Sequence, residues 1–140
     1  MDLPLPPFSW QNIHPVLVNF TAALVPASVL SDMLGRLLRR ESLRHAAWWM
    51  LLYAAAVTPF TALAGWFWKR SIEAALSSEL IAVHQWLGIW LAFAFPVLVV
   101  WRWRFHSRGE SPGLAYLATA TLTMLALIYQ GHVGGSMAFG

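Results

Sequence analysis

Apolar residues fill four stretches of the chain, about 13–35, 46–67, 80–101 and 113–133, with short polar segments between them. Each is about 20 residues long, the length an α-helix needs to cross the hydrocarbon core of a bilayer. Asn12 stands where an N-cap is wanted, and Pro15 falls in the first turn, where a missing N–H costs nothing. Pro59 and Pro96 fall inside the second and third stretches and predict kinks there, while Gly134-Gly135 predicts the end of the fourth helix. No internal repeat is visible along the chain. The pattern predicts an all-α, integral membrane four-helix up-down bundle forming a single domain over residues 1–140.

Charge fixes how such a bundle sits. Only 11% of the 140 residues are charged, where a soluble domain carries about a quarter, and the mean hydropathy is +0.58. The basic residues gather between stretches: Arg36, Arg39, Arg40 and Arg44 after the first, and Arg102, Arg104 and Arg108 after the third. Lys69 and Arg70, between the second and third, are offset by Glu73 and Glu79. The positive-inside bias then places both Arg clusters in the cytoplasm and both termini on the outer side. The net charge of +3 reads as topology rather than nucleic-acid binding. The first residues, with three Pro and no basic segment, do not resemble a cleaved signal peptide. The tryptophans agree with this placement. Trp10, Trp66, Trp68 and Trp86 mark an outer belt and Trp48, Trp49, Trp101 and Trp103 an inner one, with Trp90 deeper.

Candidate chemistry is confined to a few residue types. With no Cys, disulfides, iron–sulfur clusters, thiolate metal sites and c-type haem attachment are excluded. There is no HExxH, no Ser–His–Asp set, no phosphate-cradling Gly loop and no pair of carboxylates at depth, so hydrolytic chemistry lacks support. Asp32 near the inner end of the first span has Arg36 one turn on as its expected ion-pair partner, and Asn19 is expected to hydrogen-bond across helices.

The histidines divide by height. At 1.5 Å per residue, His14 lies about 33 Å outward from Arg36, His84 about 27 Å from Arg102 and His132 about 30 Å from Pro112. Three imidazoles on three spans thus share a level near the outer interface, while His45 and His106 lie among the inner arginines. Neutral imidazole suits haem iron, Cu and Zn. His14 and His84, on spans expected to be diagonal, are the first choice of axial pair for one haem b, with His132 able to replace either. Thr21, Gly65, Gly88 and Gly131 at similar depth would line the macrocycle; small residues that let helices approach explain the same pattern equally well. Met137 near His132 makes copper an alternative. The expectation is a b-type cytochrome subunit, its one haem near the outer face relaying electrons to or from a larger membrane redox partner or a quinol, rather than an independent enzyme. A subunit without a cofactor, packed on a respiratory or photosynthetic complex, is the alternative from another class, with homo-oligomerisation also open.

The segment Ile13-His14-Pro15-Val16-Leu17-Val18-Asn19-Phe20-Thr21-Ala22-Ala23-Leu24, followed by Asp32, resembles the opening motif of the domain-of-unknown-function 2231 family of small bacterial four-span proteins. That motif typically reads His-Pro-x-x-Val-His-Phe-Pro-x-Ala-Leu. Ala62-Leu63-Ala64-Gly65-Trp66, His84 early on the third span, and Gly131-His132-Val133-Gly134-Gly135 also fit. The chain departs from the motif at Asn19 and Thr21, where the family usually has a second His and a Pro. The resemblance implies a four-helix membrane fold and a redox or haem-associated role; taken with the charge bias, the expectation is a multi-pass protein of the bacterial inner membrane with both termini on the periplasmic side.

Overall fold

The computed structural model describes residues 13–72 and 78–139. Four helices make it up: α1 (Ile13–Leu37), α2 (Glu41–Ile72), α3 (Ser78–His106) and α4 (Leu114–Phe139). Trp10, Asn12, Glu73 and the side chain of Arg70 lie outside the described residues. All four helices are long and apolar enough to cross a membrane, and no strand occurs among the described residues. Helices α1–α2, α2–α3, α3–α4 and α1–α4 pack as neighbours, which leaves α1 opposite α3 and α2 opposite α4.

The helices overrun the predicted spans. α2 begins at Glu41 because its amphipathic first turn, with Arg44 half-buried and His45 exposed, continues helically into the interface. α4 runs through Gly134-Gly135 to Phe139 rather than ending there. Gly134 serves a close approach instead: a Cβ on it would lie 2.9 Å from His84 Cε1. Pro26, Pro59 and Pro96 all sit inside continuous helices.

Both tight turns use one device. Arg39, with φ 54°, follows α1, and the Arg40 N–H reaches back to the Gly35 carbonyl at 3.0 Å. Gly109, with φ 66°, follows α3, and the Glu110 N–H reaches the Phe105 carbonyl at 2.9 Å. Each is a Schellman motif: a left-handed residue closes the helix and a six-to-one bond satisfies an orphan carbonyl.

Between the helices, Val25, Leu51, Leu91, Phe95 and Leu127 form a thin apolar core. Lipid tails are as apolar as these side chains, so burial alone holds transmembrane helices together weakly. Contacts made by polar groups and by close backbone approach therefore carry much of the specificity. On α1 those groups form a seam: His14, Thr21, Val25, Ser28 and Asp32 are all buried, and they follow one another at intervals of seven, four, three and four residues, along one face of the helix.

Candidate functional site

Two polar junctions sit at opposite ends of this seam. At the outer end the His14 Nδ1–H donates to the Thr61 carbonyl of α2 at 2.9 Å, and the His84 Nδ1–H donates to the Gln130 carbonyl of α4 at 3.2 Å. A carbonyl can only accept, so each bond assigns its ring proton to Nδ1. Both imidazoles also lie against glycine. A Cβ on Gly65 would meet His14 Cε1 at 2.8 Å, as one on Gly134 would meet His84. The two rings face each other edge to face across the diagonal, centroids 6.3 Å apart, and Trp68 lies 5.5 Å from His14. Lys69 Nζ donates to Gln85 Oε1 at 3.0 Å and joins α2 to α3 at the same end.

At the inner end, Arg102 of α3 and Asp32 of α1 make a bidentate pair: Nε to Oδ2 and Nη2 to Oδ1, both at 2.9 Å, with each residue 1% exposed. Planar forks matched in this way give the strongest charge-assisted hydrogen bonds. Arg36, the expected partner of Asp32, instead points outward and donates to the Pro112 carbonyl at 3.0 Å. Asp32 faces the bundle axis, and Arg102 is the cation that meets it there. Between the two junctions, Thr58 donates to the Ala54 carbonyl, Thr21 in turn donates to Thr58 Oγ1 at 3.3 Å, and Ser28 donates to the Ala47 carbonyl at 2.7 Å. Thr119, Thr121 and Thr123 bond within α4.

Asp32 and Arg102 are separated by 70 residues, and that interval recurs. His14 and His84, Pro26 and Pro96, Arg39 and Gly109, and Gly35 and Phe105 are equally spaced. Thr61 with Gly65 on α2 corresponds to Gln130 with Gly134 on α4. The α1–α2 and α3–α4 hairpins thus repeat one plan, and the His14–His84 ring contact and the Asp32–Arg102 pair join the two halves. The repeat was not visible along the chain.

The residues expected to hold a haem are arranged for packing. The His14 ring occupies the space over Gly65, and the Gln130 amide lies where a Cβ on Gly88 would come within 3.0 Å of it. Gly131 faces outward with nothing near it, His132 is exposed, and Thr21 is engaged with Thr58. A porphyrin between His14 and His84 would need the volume these side chains fill. No group of three or more His, Cys, Asp or Glu that could hold a metal occurs among the described residues, so His132 does not join the other two. The expected role as a haem-bearing electron relay is overturned by this geometry. Trp48 also departs from expectation. It is buried and stacks on His106 at 4.7 Å rather than standing in the lipid interface.

The fold and its two junctions define a four-span helical membrane protein. The chain belongs to the family described as predicted membrane protein (DUF2231), whose model matches residues 11–140. No curated protein and no solved structure matches it.

Proposed function

We propose that the chain is a structural assembly subunit of the bacterial inner membrane, with both termini periplasmic, and that it associates with a second copy of itself through the lipid-facing side of α1. The observation that carries this reading is Asn19. It is exposed on α1, and among the described residues its amide has no hydrogen-bond partner. The Thr21–Thr58 contact puts Asn19 level with about residue 60 of α2, some 9 Å inward of Trp66 in the outer belt. An amide held at that depth loses water and gains nothing from lipid tails.

A second helix would supply what is missing. Ala23 and Ala27 follow Asn19 at intervals of four, and Ala22 is exposed beside them, so another backbone can come close. The amide carries donors and an acceptor together, so two copies related by a two-fold axis satisfy each other without any other partner. The distribution of Arg between the inner loops supports the orientation.

Counting protomers in lipid discs by native mass spectrometry tests the proposal. Wild type is expected to be a dimer, and Asn19→Leu to shift the population to monomer with the heat stability of each protomer kept. A monomeric wild type, or an Asn19→Leu variant as dimeric as wild type, would contradict it.

A further inference from the structure

The inner junction leaves one donor unused. Arg102 commits Nε and Nη2 to Asp32, and Nη2 also donates to the Arg44 carbonyl at 3.2 Å, but its Nη1 is buried with no hydrogen-bond partner among the described residues. A buried guanidinium nitrogen without an acceptor is costly, and native structures leave few such groups. Arg102 also lines a cavity of about 130 Å³ with Glu41, Arg44, His45, His106 and the Gly109-Glu110 turn. That space equals the liquid volume of about four waters, enough for one tetrahedral oxyanion.

Two guanidinium groups, of Arg44 and Arg102, stand on its walls. Arg44 is held in place by its Nη1 bond to Ser111 Oγ at 2.7 Å. His45 and His106 meet edge to face at 5.3 Å, and Trp48 stacks behind His106. The first turn of α2, where backbone N–H groups point outward from a 32-residue helix, contributes Glu41, Arg44 and His45. The carboxylates nearby have their own places: Asp32 is consumed by Arg102, Glu41 Oε1 lies 3.4 Å from His45 Nε2, and Glu110 stands at the exposed rim, where water screens it. The cavity lies at the inner Trp level, the depth of lipid phosphates, and basic pockets between helices at the cytoplasmic surface are suited to anionic headgroups.

We propose that this cavity binds a phosphate group, with Arg102 Nη1 donating to one oxygen and Arg44 and His106 beside the others. The group can belong to an anionic phospholipid or to free phosphate. This inference does not depend on Asn19 or on self-association.

The test uses the full chain, purified and delipidated in detergent, with binding read by isothermal titration calorimetry. It is titrated with inorganic phosphate against chloride at equal ionic strength, and separately with short-chain phosphatidylglycerol, whose binding is also read by native mass spectrometry. At least one titration is expected to saturate. Arg102→Lys, which keeps a charge opposite Asp32 but cannot fill both roles, and His106→Leu are each expected to weaken it about tenfold or more. Saturation by inorganic phosphate assigns a free anion; saturation by phosphatidylglycerol alone assigns a headgroup. Failure of both to saturate beyond chloride, or wild-type affinity in the variants, overturns the proposal. Should Arg102→Lys not fold, His106→Leu decides alone.

Discussion

His14 and His84 are best understood as clasps. Each donates through Nδ1 to a carbonyl of the next helix and rests its ring on a glycine one turn further on. Adding a methyl at Gly65 or Gly134 drives Cβ into a ring that its hydrogen bond holds still. Gly65→Ala and Gly134→Ala should therefore each destabilise the bundle by about 1–3 kcal/mol. Gly131→Ala, with open space around it, should be neutral or slightly stabilising through helix propensity. Thermal unfolding in detergent distinguishes the three; equal effects at Gly65, Gly131 and Gly134 would refute the clasp. The heights of these histidines and their diagonal placement were readable from residue counts alone. Their seats on glycine were not, because counting along a helix gives depth but not which neighbour a ring turns toward.

Between helices, the Asp32–Arg102 pair is the link that spans the α1–α3 diagonal at the inner end. Removing one partner strands a buried charge, so Arg102→Leu should cost about 3–5 kcal/mol. The double variant Asp32→Leu/Arg102→Leu should recover much of that loss, since an apolar pair of similar size leaves no charge unpaired. A double-mutant cycle on thermal unfolding checks it; losses that simply add would show that the two do not act as a pair. Local reasoning favoured Arg36 for Asp32, because neighbours one turn apart are the commonest partners. The duplicated plan was hidden for a related reason. Residues 70 apart play the same part with different chemistry: Asp32 against Arg102, Arg39 against Gly109 in the two turns. Their likeness lies in geometry, and Thr61 and Gln130 share only a backbone carbonyl used in the same way.

The whole molecule has its inward polar groups largely satisfied by its own helices, while its sides face lipid. The spans and the fold followed directly from the apolar pattern, since only a helix or a closed barrel satisfies its backbone in a bilayer. The histidine level suggested a redox centre, yet the same heights serve the packing of two repeated hairpins. Asn19 is a side-chain amide on the lipid surface without a partner among the described residues, and the proposed self-association through α1 rests on it. Because the chain has no Cys, single cysteines report contacts between copies without background. Ala23→Cys on the lipid face of α1 and Ala118→Cys on that of α4 are to be compared by oxidative cross-linking in native membranes. Assembly through α1 predicts a disulfide dimer from Ala23→Cys, lost when Asn19→Leu is added, and none from Ala118→Cys. No dimer at Ala23, or equal dimer from both positions, would contradict it.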